Sequence, residues 1–535
     1  MQTGIAERQT AGLRGSGGTR PVLYAWYALF VLILVYTLNF IDRQILAILA
    51  QEVKQDLALS DAQLGFLYGT AFAIFYSLFG IPLGRLADNW RRGYLLAIGL
   101  ALWSVMTIIS GLSHSFPQLA AARIGVGIGE ASATPAAFAM IAGYFSKEYR
   151  GLALSIYAVG AYLGLGLSLP LGGWISDSWN AAFPVGEAPF GLDGWQAAFV
   201  IVGAPGILLA LWAATLREPM VSEGNERRIL PFGLALRAFG KDMLTILPPF
   251  TLWSVARYPG ELGKNVIAFC LSGLICYGLI EWTGDVAQWI ALSIGYYATY
   301  SWRQVLRHND RAAFHLIWED GVMILALLGF GAIALITYSA GFWAAPYAIR
   351  TFGMSATFAG MAIGIPGAIA AAMGIITGGR LSDFWKARDG RGRVWTCLVS
   401  VVGAPPLILL MYTRPDLETY LLLSPLVYFI TALPGGVCAA VCQDLVLPRM
   451  YGTVGAVYLL STTMMGLAVG PYLTGKIAMI SGSLSVGVMS MLVATPIALV
   501  ALGLLSRRTA DAEATKDVRA LEAELRRARL GGGRA

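Results

Sequence analysis

The chain has 535 residues, of which 57% are apolar and only 13% are Asp, Glu, Lys or Arg, about half the roughly 25% charged share of a soluble domain. With a mean hydropathy of +0.65, it reads as a membrane protein. The net charge of +7 is small for this length and is gathered in short segments, which excludes the continuous basic face that a nucleic-acid-binding fold presents.

Residues 1–20 are polar and basic, with Arg8, Arg14 and Arg20. The apolar run that follows is too long for the core of a cleavable signal, so 1–21 is expected to be a cytoplasmic N-terminal segment. A helix rising 1.5 Å per residue crosses a hydrocarbon core of about 30 Å in roughly 20 residues. Runs of that kind fall at 22–49, 62–84, 93–113, 117–144, 151–176 and 195–216, predicting a six-helix half over 22–216. Residues 217–261, including "REPMVSEGNERRILPFG", read as a cytoplasmic linker with an interfacial amphipathic piece. Two more runs, 264–282 and 285–302, form an inserted pair over 262–303, read as a brace for the bundle. A second half over 304–506 has runs at 320–341, 354–379, 394–412, 417–444, 452–478 and 484–506, for about fourteen spans in all. The remainder, 507–535, is expected to be a cytoplasmic tail, a solvated charged helix with Val518, Leu521 and Leu525 on one side and a disordered glycine end.

Alternate connections test this layout. Those expected inside carry Arg85, Arg91 and Arg92, then Lys147 and Arg150, then Arg217, Arg227 and Arg228; later ones carry Arg303, Arg307, Arg311, Lys386, Arg388, Arg391, Arg393, Arg449, Arg507 and Arg508. The stretch from Ser176 to Gly194 has acids and no Lys or Arg, and "EWTGD" from Glu281 is equally free of bases. An excess of Lys and Arg marks the cytoplasmic side, so both termini are expected inside, with Arg414 and Lys476 as minor exceptions. The five cysteines lie in or beside apolar runs and read as small buried hydrophobes, and the three histidines are too scattered to make a metal cluster. No cofactor is expected.

Internal similarity is more informative. "GRLADNWRR" from Gly84 returns as "GRLSDFWKA" from Gly379, 295 residues later, and in a second pair of segments a glycine (Gly151, Gly452) precedes a proline (Pro170, Pro471) by 19 residues. Duplicated six-helix halves are the layout of carriers that rock about a central site. Within the repeated segments Arg85, Asp88, Arg92, Arg150, Arg380 and Asp383 are read as gating or structural residues, because arginines fix helix orientation and aspartates complement helix N-termini.

Four ionisable residues of the first half sit too deep for loops. Asp42 lies roughly 30 Å along the first span, in its outer half. Arg123 is near the outer end of the fourth span, and Glu130 is about 10 Å deeper on nearly the same face. Ionisable groups at such depth are costly and mark substrate or proton paths. Asp42 or Glu130 is assigned a proton, and Arg43 and Arg123 the anionic part of a substrate, because guanidinium matches phosphate and carboxylate. Asp42 and Arg43 point about 100° apart, so one looks into the cavity while the other pairs with a neighbour. The alternative is a structural ion-pair network between the first and fourth helices. "RIGVGIGEA" from Arg123 permits close helix approach and bending, and it is no dinucleotide fingerprint, having no preceding strand. In the second half Glu319 and Asp320 are expected to favour a helix N-terminus, and Gln443 and Asp444 to join an inner gate. Phe342, Trp343, Tyr347, Phe352, Met354 and Phe358 are expected near the outer side of an apolar cavity wall. One charged wall and one apolar wall suit an amphiphile.

"NFIDRQIL", "RIGVGIGEA" and "YFSKEYRGLALSIYAVGAYLG", in that order, together with the duplicated "GRLxD" segments, resemble the Spinster family of lipid transporters within the major facilitator superfamily. The superfamily resemblance covers residues 22–506 and implies an all-α polytopic fold with two six-helix halves, here with two additional transmembrane helices between them. It implies a monomeric, non-enzymatic secondary carrier of the bacterial inner (plasma) membrane. The expected substrate is an amphiphilic anionic lipid of the lysophospholipid or sphingosine-1-phosphate type, moved by alternating access with proton coupling and in contact with membrane lipids. By that resemblance the first-helix Asp-Arg falls on Asp42 and Arg43, and the fourth-helix arginine and glutamate on Arg123 and Glu130. A major facilitator exporter of drugs or small polar metabolites is the competing reading.

Overall fold

A computed structural model describes residues 23–184, 187–219, 229–414 and 416–531. The expected N-terminal segment 1–21, Arg227 and Arg228 of the linker and the end 532–535 lie outside the described residues. The described residues form helices and turns with no strand among them.

The first half comprises α1 (Leu23–Asp56), α2 (Asp61–Asn89), α3 (Arg92–Gly111), α4 (Phe116–Tyr144), α5 (Lys147–Ala182) and α6 (Gly194–Ala214). The linker supplies α7 (Phe232–Ile246) and α8 (Thr251–Val255), and the insertion α9 (Glu261–Thr283) and α10 (Val286–Asn309). The second half comprises α11 (Val322–Phe352), α12 (Ala356–Lys386), α13 (Gly392–Thr413), α14 (Leu417–Asp444), α15 (Pro448–Ser481) and α16 (Leu484–Ala514), followed by α17 (Lys516–Gly531). The end of the bundle that carries connections 57–60 and 353–355 is here named the outer end.

Local chemistry sets the boundaries. Ser60 accepts from the Gln63 amide at 3.1 Å while Gln63 Oε1 accepts from the Ser60 amide at 2.9 Å, so a capping box starts α2. Asp193 and Gln196 repeat that device at α6. Gly284 ends α9 at φ 77°, a left-handed conformation glycine adopts without steric cost.

Thirteen helices among the described residues are long and apolar enough to cross a membrane. The other expected span is the 24-residue α10, whose polar residues Gln288, Ser301 and Gln304 are buried. Those side chains lower its apolar content because the helix packs on protein through them. Its partner α9 presents Phe269, Leu271, Leu274, Ile275 and Tyr277 outward.

The two halves repeat one packing scheme. In the first, α1 packs on α5, α2 on α4 and α3 on α6; in the second, α11 packs on α15, α12 on α14 and α13 on α16. The halves meet mainly along two seams, α2 with α15 and α5 with α12, and α1 also packs on α11. Both seams are tightest toward the outer end, and there the repeat is visible in single residues. A methyl on Gly65 of α2 would collide with the Pro471 carbonyl of α15, and one on Gly360 of α12 with the Leu169 carbonyl preceding Pro170 of α5. Gly65 and Gly360 are 295 residues apart, the displacement of the "GRLxD" pair. Each borders a π-helical turn, Phe66–Thr70 and Gly360–Gly364.

The tail departs from expectation. α17 docks on the inner end of the second half: Arg519 pairs with Asp320, Arg449 pairs with Glu524, and Lys516 donates to the Asp444 carbonyl at 3.0 Å. Ala520 and Ala523 are buried in that contact, while Val518, Leu521 and Leu525 face outward. The small side chains permit the approach, and the ion pairs hold it.

Candidate functional site

The four deep residues do come together. α1 and α4 present them inside the first half, where Asp42 and Arg123 are fully buried and Glu130 is 1% exposed. The glycines of α4 make this possible: a methyl on Gly127 would stand 2.7 Å from the Phe72 carbonyl of α2, and one on Gly129 2.8 Å from the Gly99 carbonyl of α3. Close packing on two sides carries Arg123 and Glu130 into contact range of α1.

Two nitrogens of Arg123 donate to main chain, and its Nε has no hydrogen-bond partner among the described residues. Its Nη1 donates to the Asp42 carbonyl at 3.1 Å and its Nη2 to the Arg43 carbonyl at 3.4 Å. The helix thus offers two acceptors at one turn of α1, and the guanidinium ties α4 to it. Asp42 lies near Glu130 and Arg123 and faces Thr107 and Trp103 of α3, while Asn39 stands beside Glu130. Among the described residues, none of the four carboxylate oxygens has a hydrogen-bond partner of normal geometry. An unpaired buried carboxylate is expensive.

Arg43 is different. Only half-buried, its guanidinium lies over the Phe72 ring at 4.4 Å and the Tyr76 ring at 5.8 Å, a cation–π seat. Tyr338, from α11 of the second half, stands among its neighbours. Around it run further aromatics: Tyr36 stacks on Tyr157 at 4.4 Å, and Tyr68 stacks on Phe342 at 4.2 Å while donating to Gln44 at 3.0 Å. Of the adjacent pair, Asp42 turns into the first half and Arg43 toward its aromatic seat, the divergence that helical geometry requires.

The second-half aromatics are at the outer side but pack against protein. Phe342 and Trp343 are fully buried, and Trp343 donates to the Pro471 carbonyl at 3.0 Å. Tyr347, Phe352, Tyr412 and Tyr420 form one ring cluster. These groups plug the outer end and do not line an open apolar wall; Met354 is buried with them, and Phe358 is half exposed.

The outer end is also held by polar contacts that join the halves. Arg350 of α11 donates to both oxygens of Asp61 on α2, at 2.8 and 2.5 Å, and Lys54 joins the same carboxylate at 2.7 Å. On the other seam, Asp177 of α5 accepts from the Thr357 amide at 2.7 Å and its hydroxyl at 2.6 Å, capping α12. Sequence reading missed both. Asp61 and its partner Arg350 lie 289 residues apart.

At the inner end the repeated segments bond within their own half and, in the first half, also to the linker. Arg92 Nη1 donates to the Ala139 carbonyl and Arg150 Nη2 to the Ala142 carbonyl, both at 2.9 Å, tying the starts of α3 and α5 to the end of α4. Arg85 pairs with Asp242 of α7 at 2.7 Å, and Asp88 is exposed. In the second half Arg393 lies 3.8 Å from Asp383 and 2.7 Å from Asp444, and Lys386 bridges Asp444 and Glu513. Arg380 is exposed. Glu319 and Asp320 are ion-paired, to Arg311 and His315 and to Arg519, where a helix N-terminus was expected to hold them. Burial alone would raise the Glu319 carboxyl, but His315 and Arg311 hold it below its usual range.

Residues 32–471 match the profile of the Major Facilitator Superfamily. An "MFS-type efflux pump" of Mycolicibacterium smegmatis is 28% identical over 454 residues, covering 85% of this chain and 84% of that protein. "Protein spinster" of Drosophila melanogaster is 29% identical over 163 residues, 30% of this chain and 27% of that protein. Among solved structures, a bacterial homolog to the human lysosomal transporter Spinster, inward-facing and unoccupied, superposes with a TM-score of 0.66 at 24% identity, over 94% of this chain and 99% of that one. The same description in the occupied state gives 0.62 at 25% identity, over 95% and 97%.

Proposed function

The chain belongs to the major facilitator superfamily, a family of transporters rather than enzymes, and on that premise we propose that its cargo is an amphiphilic anionic lipid of the lysophospholipid or sphingosine-1-phosphate class. Proton movement through Glu130 and Asp42 drives alternating access. The protein works as a monomer in the bacterial inner membrane, with both termini cytoplasmic, as the placement of Arg and Lys favours.

One observation carries this reading: two buried carboxylates without hydrogen-bond partners lie beside an arginine seated half-open on aromatic rings. Arg43 offers a headgroup an anion site, and Tyr76 and Tyr36 offer its tail apolar surface. Arg123, engaged by two carbonyls of α1, positions that helix. Charge change at Asp42 or Glu130 alters the interaction that keeps α1 and α4 in register, so proton uptake and helix movement are linked. Glu130 is the preferred coupling group and Asp42 the arranging one.

Purified protein in liposomes, with an imposed pH gradient, tests this. Lysolipids of several headgroups are expected to compete for flux while sugars and cationic drugs do not, and Glu130→Gln is expected to abolish substrate-driven proton movement. Flux unaffected by every lysolipid would sink the lipid assignment. The second reading, export of drugs or small polar metabolites, draws on the efflux-pump relative. It is also favoured by the probable galactarate/D-glucarate transporter GudP of Bacillus subtilis, 30% identical over 201 residues and matched over 41% of its length.

A further inference from the structure

The two seams are near-equivalents in the repeat, yet one has a third party in it. At the α2/α15 seam, Thr70 donates toward the Ala468 carbonyl at 2.5 Å and lies 2.6 Å from Gln288 Oε1 of α10, while Gln288 Nε2 reaches the same Ala468 carbonyl at 3.3 Å. That carbonyl immediately follows the π-helical turn Thr462–Leu467, where the regular ladder is interrupted. Gln288 is 1% exposed, so its amide is committed to this junction. Gly295, two turns on, admits Met464 of α15 and Ile74 of α2. Both seams share a direct contact, Leu169 and Pro170 against Gly360 and Gly364 in one and Pro471 and Leu467 against Gly65 and Gly69 in the other, and Gln288 is added to it at the α2/α15 seam.

The insertion is also built to act as one body. Asn265 bonds Tyr297 at 2.6 Å, Ser301 at 3.0 Å and Gln304 at 2.5 Å, and Gln304 reaches Glu261 at 3.0 Å, so α9 and α10 share a satisfied buried network. It is fastened to the second half at its outer corner: Asp285 pairs with Lys476 at 2.7 Å and accepts from Tyr472 at 2.8 Å, and Lys476 donates to the Thr283 carbonyl at 2.5 Å. Lys476, an exception in the charge pattern, thus has a specific use.

We propose that the inserted helix pair is a latch: anchored to α15 through Asp285 and Lys476, it uses Gln288 to hold Thr70 of α2 against α15 and favours the conformation closed at the outer end. Opening outward separates α2 from α15 and must break the Gln288 bridge. A mere brace would ride on one half without touching the equilibrium.

The test uses the full chain in nanodiscs with Cys270 replaced by serine, since the other four cysteines are buried. Spin labels at Gln55→Cys and Glu418→Cys, exposed outer positions of the two halves, report their separation. Gln288→Met keeps length and packing but removes the bridge, and about a fivefold rise in the ratio of long to short outer distances is expected, the effect of losing roughly one net hydrogen bond. Asp285→Asn, which loosens the anchor, should move the ratio the same way. Should Gln288→Met fail to fold, the Asp285→Asn distances decide alone. Distributions unchanged in the folded variants would overturn the latch.

Discussion

Arg43 and Arg123 carry the same charge near one turn of α1, yet their surroundings assign them different work. Arg123 is fully buried and bonded to two carbonyls; Arg43 is half open and seated on Phe72. Arg123→Ala leaves both carbonyls and a nearby carboxylate without their cation, and a loss of about 3 kcal/mol in stability is expected, read as a clear fall in Tm. Arg43→Ala should leave Tm within a few degrees while raising the KM of an anionic substrate at least tenfold; equal effects of the two substitutions on Tm would contradict this division. Their depth was legible, because ionisable residues in an apolar run stand out. Which arginine is sealed was not, since that depends on glycines of α4 meeting carbonyls of α2 and α3.

For helices, the informative contacts are those in which a side chain is missing. Gly65 and Gly360 let α2 and α12 lie directly on the backbone at Pro471 and Leu169, and both sit at the outer end of a seam. Gly65→Val or Gly360→Val is therefore expected to force that seam apart. The distance between spin labels at Gln55→Cys and Glu418→Cys should lengthen in each, whereas Gly84→Ala, which meets only Pro135 at 3.9 Å, should leave it unchanged. The repeat announced itself through "GRLxD", a segment that works at the inner end. The outer pair shares its 295-residue displacement but has no motif to mark it, because a steric requirement for glycine leaves only a glycine in an already glycine-rich chain.

Taken together, the molecule is two copies of one packing scheme with additions on one side: the α9/α10 pair at the α2/α15 seam and α17 beneath the second half. α17 fastens the starts of α11 and α15 and the end of α14 through Arg519, Glu524 and Lys516. Truncation before Lys516 is thus expected to lower the Tm by several degrees, with detergent-solubilised protein still folded; an unchanged Tm would mean the docked tail contributes nothing. The tail reads as solvated from its sequence because its apolar residues are the ones that face away, while it is held by alanines and ion pairs that have no periodic signature.

Hydropathy, the basic connections and the two repeated segments were enough to establish a polytopic helical carrier with duplicated halves and to single out Asp42, Arg43, Arg123 and Glu130. These features are local, or recur at a constant displacement, so they survive in one dimension. Folding decided which partners they meet: the sealing of Arg123, the unpartnered carboxylates, the Asp61–Arg350 closure across 289 residues and the insertion of Gln288 between the halves. Each depends on a distance between distant segments, set by how closely small residues let their helices approach.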